Sequence, residues 1–358
     1  MAISRLEIHR LRNLWRVDIR PGEGINYIVG ANGSGKTSLL EAIYCLGRGR
    51  SFRTNQTNHL IAHDADDFTV VGRFLDDHRK TVIGVQRSRA GSVIRIDGVN
   101  VVSAAQLASR FPVLMTGPGV KGLFDDGPEP RRRFLDWGVF HVEPEFRAAW
   151  NRYRRVLCQR NAALRQRCGA QALSGWDREL VQYADVITTC RERYLTRLVS
   201  FLDSAENTIS GSALLSLRLY RGWGQSESYA DFLARNYPSD LQRGFTQYGP
   251  HRADLRFYVD SGKEAKNVVS RGQQKSWVAE LIVAQCRHLV SEGILPTLLV
   301  DDLPAELDPE KRSRLIQSLF SIGIQVFVTA TERALFSLDD LSLGQVFHVE
   351  QGGVSPMV

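Results

Sequence analysis

One eight-residue run limits what this chain can fold into more than any other feature. Gly30-Ala31-Asn32-Gly33-Ser34-Gly35-Lys36-Thr37 fits G-x-x-x-x-G-K-[ST] in full. The residues before it, Ile25-Asn26-Tyr27-Ile28-Val29, read as a buried strand, and Ser38-Leu39-Leu40-Glu41-Ala42-Ile43-Tyr44 read as the first turns of a helix. Strand, glycine-rich turn and helix make a phosphate cradle, because the glycines let backbone N–H groups converge on an anion and the helix start adds partial positive charge. Lys36 is then placed to reach the β- and γ-phosphates of a nucleoside triphosphate, with the Thr37 hydroxyl on Mg²⁺. A glycine-rich turn that matches by chance is the bland alternative, and the flanking strand and helix disfavour it.

The motif names a ligand but not a use, and composition narrows the uses. The 358 residues suffice for two or three domains. No apolar stretch is long enough to span a bilayer, so no membrane role is expected. The start, Met1-Ala2-Ile3-Ser4-Arg5-Leu6-Glu7-Ile8, lacks a secretory core and reads as a first strand, which makes the cytoplasm the expected location. The five cysteines, Cys45, Cys158, Cys168, Cys190 and Cys286, are scattered and form no C-x-x-C pair, which disfavours both a disulfide framework and a zinc site. A net charge of +7 suits a polyanionic partner. Arginine outnumbers lysine, a bias that a GC-rich genome would also produce.

Texture changes twice along the chain. Short β-like runs alternate with turns up to about residue 115, including Phe68-Thr69-Val70-Val71, Thr81-Val82-Ile83-Gly84-Val85 and Ser92-Val93-Ile94-Arg95-Ile96. From about Pro130 to Ser204 the pattern is helical and rich in arginine, with apolar residues at helical spacing through Phe146, Trp150, Tyr153, Val156 and Leu157 and again through Leu180, Tyr183, Ile187, Tyr194, Leu198 and Leu202. A strand around Leu214 to Tyr220 and a helix around Tyr229 to Asn236 follow. From Tyr248 strands and helices alternate, ending in strands at Val326-Phe327-Val328 and Val346-Phe347-His348-Val349. The expected organisation is one α/β nucleotide-binding domain made from both ends of the chain, residues 1–116 and 247–358, with a mostly helical insertion over 117–246.

The second half supplies partner motifs. Leu295-Pro296-Thr297-Leu298-Leu299-Val300-Asp301-Asp302 is an apolar strand ending in two carboxylates. Asp301 fits the acid that holds the Mg²⁺ shell, and Asp302 could orient or deprotonate an attacking water. Upstream, Val269-Ser270-Arg271-Gly272-Gln273-Gln274-Lys275 precedes a helix expected from Ser276 to Val290. It resembles the L-S-x-G-Q signature of ABC-type ATPases, in which a helix start binds the γ-phosphate of nucleotide on the opposite subunit; an ordinary N-cap is the plain alternative. Ala305-Glu306-Leu307-Asp308 resembles the D-loop that crosses the same seam. The order of these motifs implies two composite ATP sites in a homodimer.

Longer stretches resemble one family, RecF. They include Leu6-Glu7-Ile8, Leu11-Arg12-Asn13-Leu14, Gly49-Arg50-Ser51-Phe52-Arg53-Thr54, and Gly127-Pro128-Glu129-Pro130-Arg131-Arg132-Arg133-Phe134-Leu135-Asp136. Tyr248-Gly249-Pro250-His251-Arg252-Ala253-Asp254-Leu255 belongs with them, and this stretch and the Arg131 one are specific, since general ABC-type ATPases lack them. The resemblance implies a P-loop ABC/SMC-type ATPase head with a mostly helical inserted second domain. It implies an ATP-dependent DNA-binding protein of recombinational repair and replication restart, dimeric with ATP and Mg²⁺, acting on double-stranded, gapped and also single-stranded DNA. RecO, RecR and indirectly RecA are its implied partners, with a weak DNA-stimulated ATPase and a role in SOS induction. On the same basis residues 30 to 37, Ser270, Arg271, Gly272, Gln273 and Asp308 contact nucleotide, Thr37 and Asp301 hold the metal, and Asp301 and Asp302 are catalytic. A transporter ATPase subunit is a weaker alternative, for the chain lacks a Q-loop glutamine near Leu114-Met115-Thr116 and has Thr329-Ala330-Thr331-Glu332 where a switch histidine would stand. An SMC-like structural protein would need long heptad arms.

Two departures from the family pattern stand out: Gly117-Pro118-Gly119 carries no acid, and Asp302 stands where many relatives of the ABC class have glutamate, which predicts slow hydrolysis. Other charged residues have two readings each. Asp254 could belong to a polar or DNA-facing cluster with His251 and Arg252, or pair with Arg252 to fix a turn. Arg131, Arg132 and Arg133 cannot all face one way on a helix, and a solvated first turn is their plain reading. Arg48, Arg50 and Arg53 could meet nucleotide or DNA. Arg152, Arg154, Arg155, Arg160, Arg165 and Arg167 could form a phosphate-tracking stripe or an ordinary solvated face. Trp137, Trp150 and Trp176 are expected in the core.

Overall fold

The computed structural model describes all residues except 55, 77–78, 102, 119–121, 125, 204–208, 210–214, 225, 260–261 and 358. The chain divides into two compact units, residues 1–121 with 275–358, and residues 122–274. The first unit opens with β1 (Ala2–Leu11), β2 (Leu14–Ile19), β3 (Ile25–Val29), α1 (Lys36–Arg48), β4 (Asp67–Asp76), β5 (Arg79–Ser88), β6 (Gly91–Ile96), β7 (Val99–Asn100), α2 (Ala104–Arg110) and β8 (Val113–Thr116). The second unit holds α3 (Pro128–Val142), α4 (Pro144–Arg165), α5 (Ala170–Asp203), β9 (Ser216–Tyr220), α6 (Tyr229–Arg243) and β10 (Asp254–Tyr258). Helix α7 (Arg271–Ser291) begins in the second unit and ends in the first, which continues through β11 (Thr297–Val300), α8 (Leu303–Glu306), α9 (Pro309–Ile322), β12 (Val326–Ala330), α10 (Leu338–Ser342), β13 (Gly344–Glu350) and β14 (Gly353–Met357).

Two sheets build the first unit. One is an antiparallel meander in the order β2-β1-β4-β5-β6-β7, as the alternating apolar and polar residues predict. The other runs β14-β13-β3-β12-β11-β8 and is parallel from β13 through β8. Its central strands β3, β11 and β12 are buried throughout, which accounts for their unbroken apolar runs. Helix α1 is buried nearly all round because it lies in the same core as both sheets: Leu39, Leu40, Ile43 and Leu46 join Leu6 and Ile8 from β1, Val70 from β4, and Leu299 and Phe327 from β11 and β12. A left-handed Gly49 ends α1, its N–H returning to the Cys45 carbonyl at 2.8 Å.

In the second unit α4 and α5 carry the helical periodicity seen in the sequence. Strand β9 pairs antiparallel with β10, so residues 254–258 group with the helices rather than with the ATPase sheet. Contact therefore carries the insertion to Gln274, past the sequence-based boundary at 246. Of the strand expected from Leu214, the described part is Ser216–Tyr220; Leu214, Ser204 at the end of the helical stretch, and Gly119 of the 117–119 motif lie outside the described residues. Among the described residues no helix is long and apolar enough to cross a membrane.

Candidate nucleotide site

Residues 30–35 form a tight loop between β3 and α1, and Lys36 and Thr37 open the helix. Gly30 is fixed by sterics: a Cβ there would stand 2.2 Å from the Val349 carbonyl oxygen. Gly33 and Gly35 have φ of 80° and 124°, values that favour glycine, and Gly35 leads directly into α1. Ala31, Asn32 and Gly33 are exposed at the tip, while Ser34 and Lys36 are buried.

Two hairpin turns clamp this loop from behind. From the β1–β2 turn, Asn13 donates its amide to the carbonyls of Gly33 at 3.2 Å and Ser34 at 3.0 Å, and accepts from the Ser38 hydroxyl at 2.8 Å. From the β13–β14 turn, the Gly352 N–H donates to the Ser34 carbonyl at 2.9 Å. With carbonyls tied from outside, the loop keeps one shape, and that is what an anion site needs.

Lys36 Nζ donates to the carbonyls of Gly30 at 2.7 Å and Ala31 at 2.9 Å. An ammonium has three N–H groups, so one is left for a phosphate oxygen. Burial lowers the Lys36 pKa, and the nearby carboxylates Asp302 and Asp301 oppose that shift. Thr37 Oγ1 donates to Asp301, 3.1 Å from Oδ1 and 3.0 Å from Oδ2. Thus Lys36, Thr37, Asp301 and Asp302 meet at one place, as their motifs predict.

The joint between them is a residue the sequence did not single out for this role. In the sheet order β12 lies between β3 and β11. At its carboxyl end Thr329 Oγ1 donates to Asp301 Oδ1 at 2.7 Å and accepts the Asp302 N–H at 2.7 Å. Asp302 has left-handed backbone angles, φ 47° and ψ 51°, which turn the chain away from the strand and into α8. On the other side Gly117, at φ 142°, approaches Asp301 so closely that a Cβ would stand 2.7 Å from the Asp301 carbonyl oxygen. Asp301 is thereby held by a hydroxyl from each side, and its position is set before any ion arrives.

The residues present fit nucleotide and Mg²⁺. Mg²⁺ is commonly held by one or two protein oxygens together with phosphates and water, and a hydroxyl beside a carboxylate supplies that. Ser34 Oγ, inside the loop, is buried without a partner. Among the described residues no group of three or more His, Cys, Asp or Glu could hold a metal alone, so the Thr37–Asp301 pair suits an ion that shares phosphate ligands.

A second buried cluster supports α1 from its far side. Glu41, fully buried, accepts both Arg12 Nε at 3.0 Å and Nη2 at 3.1 Å, and also the Ser51 hydroxyl. Ser51 Oγ in turn accepts the N–H groups of Arg53 at 2.9 Å and Thr54 at 3.1 Å. The loop after α1 is thus folded against the helix, with Arg50 and Arg53 exposed, while the Arg48 guanidinium lies 6.0 Å over the Tyr44 ring.

Ser270, Arg271, Gly272 and Gln273 lie in the second unit, at the start of α7. The helix begins at Arg271, five residues before the expected Ser276, so Arg271, Gly272 and Gln273 form its first turn. Ser270 and Gln273 make a reciprocal capping box: Ser270 Oγ accepts the Gln273 N–H at 3.3 Å, and Gln273 Oε1 accepts the Ser270 N–H at 3.0 Å. Ser270, Arg271 and Gly272 are exposed. Asp308 serves as the N-cap of α9, accepting the Lys311 N–H at 3.0 Å; that bond, with the Lys311 side chain, holds its pKa below the usual aspartate range.

Several arginine readings are corrected by the second unit. Asp254 does not pair with Arg252; it takes a bidentate bond from Arg131, at 2.8 and 3.0 Å. Arg131 is therefore not in a solvated turn but buried, its Nη1 also donating to the Leu123 carbonyl at 3.1 Å. Arg132 donates to the Ala253 carbonyl at 2.8 Å, and Arg133 alone of the three faces solvent, paired with Glu129. Arg160 leaves the proposed phosphate stripe altogether: it is fully buried, bonded to Asp177 at 2.6 Å, Asp240 at 2.8 Å and Thr246 at 2.8 Å. Arg152, Arg154, Arg155, Arg165 and Arg167 are exposed. Trp137 is buried, and Trp150 and Trp176 are half-buried. His251 is a connector: Tyr153 Oη lies 2.8 Å from its Nδ1 and the Thr246 carbonyl 3.2 Å from its Nε2, so a neutral ring with the proton on Nε2 satisfies both.

The fold and the P-loop geometry define the class: an ABC/SMC-type P-loop ATPase head carrying an inserted unit. The RecF/RecN/SMC N terminal domain profile matches residues 2–355. The DNA replication and repair protein RecF of Thioalkalivibrio sulfidiphilus is 43% identical over 355 residues, covering 98% of each chain, and that of Chromohalobacter salexigens is 43% identical over 361 residues, covering 98% of this chain and 99% of its own. A solved structure of the recombination mediator protein RecF with ATP, described within the RecFOR pathway, superposes with a TM-score of 0.86 at 25% identity, over 100% of this chain and 98% of that one. An SMC head bound to the winged-helix domain of ScpA shares the fold alone, with a TM-score of 0.61 at 15% identity over 100% of this chain and 97% of that one. The chain belongs to the RecF family.

Proposed function

We propose that this chain is an ATP-gated DNA-binding protein of recombinational repair and replication restart, working as a dimer in the cytoplasm. What supports this most is the assembled P-loop in a member of the RecF family. Lys36, Thr37, Asp301 and Thr329 are already held together, and the Ser270-Arg271-Gly272 start of α7 is exposed. ATP phosphates lie against Lys36 and the N–H groups of residues 30 to 37. Thr37 and Asp301 would hold Mg²⁺, which would supply neutralisation of developing phosphate charge. Ser270 and the Gly272 N–H of the second subunit, with Arg271, Gln273 and Asp308 at the same seam, cap the nucleotide from across the dimer.

Within that site Asp302 orients the attacking water and accepts its proton. Its shorter side chain makes turnover slow, so the ATPase times dimer opening rather than processing a substrate. The relatives' names supply the setting: DNA replication and repair, recombination mediation and the RecFOR pathway. For this chain the proposal includes action with RecO and RecR, RecA placement on gapped DNA and SOS induction, as the family resemblance implies. The test is binding to intact duplex, gapped duplex and single strand, with and without ATP and Mg²⁺, with mass read in parallel. DNA binding that rises with ATP together with a shift to dimer is the expected result. Tight DNA binding by a monomer, indifferent to ATP, would contradict it.

A further inference from the structure

The two-stranded sheet of the second unit carries an arrangement that ATP binding does not use. Strands β9 and β10 pair so that Arg218 stands directly opposite Arg256, with Tyr220 opposite Asp254 and Ser216 opposite Tyr258. Residues two apart on a strand share a face, so both arginines and both tyrosines lie on the same side of this ribbon. The other side carries Leu217, Leu219, Leu255 and Phe257, of which Leu255 and Phe257 are buried.

On the solvent side the arginines lie across the tyrosine rings diagonally. Arg218 Cζ is 4.8 Å from the Tyr258 ring centre, and Arg256 Cζ is 5.0 Å from that of Tyr220. Both arginines are exposed. Like charges placed directly opposite on a sheet destabilise it; against the opposing effect of burial, Tyr258, Asp254 and Glu264 favour the charged form of Arg256, raising its pKa. Asp254 Oδ2 is 3.7 Å from Arg256 Nε, but Asp254 is buried and already takes the bidentate bond from Arg131. Glu264 is paired with Lys266 at 3.3 Å. Two exposed cations held side by side are stabilised further by an anion that bridges them.

Which anion follows from the stacking. Each tyrosine ring on this face already has a guanidinium within 5.0 Å of its centre, which disfavours the rings as platforms for bases. A guanidinium carries five N–H donors, so one that packs near a ring still has donors for an anion, and two such groups side by side match neighbouring phosphates. The net charge of +7 points to the same polyanionic chemistry. We propose that the exposed face of the β9–β10 ribbon binds the phosphodiester backbone of DNA, with Arg218 and Arg256 as its phosphate contacts. This rests on the DNA-binding reading above and assigns part of that binding to a surface outside the nucleotide site. Contact is with backbone and not base edges, so it carries no sequence preference.

The test compares the wild type, an Arg218→Gln/Arg256→Gln variant and an Arg218→Lys/Arg256→Lys variant of the full chain. All are measured with ATP and Mg²⁺ by anisotropy on labelled duplex over a range of salt. ATP binding serves as the folding control, since neither arginine belongs to that site. The glutamine pair is expected to bind roughly tenfold more weakly at low salt, with the slope of log affinity against log salt reduced by about 2. The lysine pair should keep most of the slope while losing part of the affinity. A glutamine pair with wild-type affinity and slope would overturn the assignment and leave DNA binding itself standing. Unchanged DNA binding with lost binding of polyglutamate would assign the face to an acidic protein, and would overturn it too. A wild type that binds no DNA in the presence of ATP would refute the underlying reading instead.

Discussion

Thr329 shows how much of the site depends on one hydroxyl. It donates to Asp301 and accepts from the Asp302 backbone, so it fixes the side chain of one acid and the turn that aims the next. Where transporter-type ATPases place a switch histidine in this region, this chain has a smaller group that cannot carry charge. Thr329→Val keeps the shape and removes both bonds. It leaves the partly buried Asp302 N–H without this partner, and this should lower stability by about 1 kcal/mol by urea unfolding and weaken Mg²⁺-dependent ATP binding. Unchanged stability and unchanged Mg²⁺ dependence would show that Thr329 does not set the Asp301 position. Asn13 is comparable from the other side, since its amide and carbonyl link the loop and α1 to the β1–β2 turn. Neither contact can be read from local spacing. The P-loop and Asp301-Asp302 are legible because each is a strand end followed by a turn with fixed chemistry. Thr329 and Asn13 reach the site only through sheet order and hairpin placement, which no local pattern encodes.

At the scale of elements, the segment from Thr246 to Asp254 is the point where helices of the second unit converge. Arg131 and Arg132 of α3, Arg160 and Tyr153 of α4, and Arg191 of α5 all bond to it; Arg191 reaches the Pro250 carbonyl at 2.9 Å and Asp136 at 2.8 Å. Gly249 is required there, for a Cβ would meet Tyr153 Oη at 2.4 Å and Tyr229 Oη at 2.5 Å. The Gly249-Pro250-His251-Arg252 stretch was conspicuous in the sequence, but its work was not legible, because its partners lie as far as 123 residues away, as for Arg131 and Asp254. Periodicity did reveal α4 and α5, yet it could not tell that Arg160 faces inward, since a buried arginine and a solvated one share the same helical spacing.

His251 makes that convergence sensitive to pH. Burial pushes its pKa down to about 4, with Arg252, Arg132 and Arg191 adding to the effect. A base whose folded pKa lies below its unfolded value leaves the unfolded chain holding more protons between about pH 6.5 and pH 4. Stability from this group is therefore complete above that window and falls as pH drops through it, by about 3 kcal/mol in full. His251→Gln can keep both bonds without titrating. Its unfolding free energy should depend less steeply on pH across this window than that of the wild type; equal slopes would remove His251 as the cause.

For the whole molecule, the nucleotide site and the α7 start pose a single question, namely whether one copy completes the ATP site of another. On the P-loop side Thr37, Asp301 and Thr329 are hydrogen-bonded together within one unit. The α7 start is capped by its own Ser270–Gln273 box and exposed. Sedimentation of the wild type and of Ser270→Arg, each with and without ATP and Mg²⁺, tests this most directly. Loss of the cap costs only about 1 kcal/mol, so the variant should stay folded and bind ATP as well as the wild type does. The wild type should become a dimer with ATP, while Ser270→Arg should remain a monomer at the same saturation. A Ser270→Arg chain that binds ATP and dimerises with unchanged affinity would contradict the composite site.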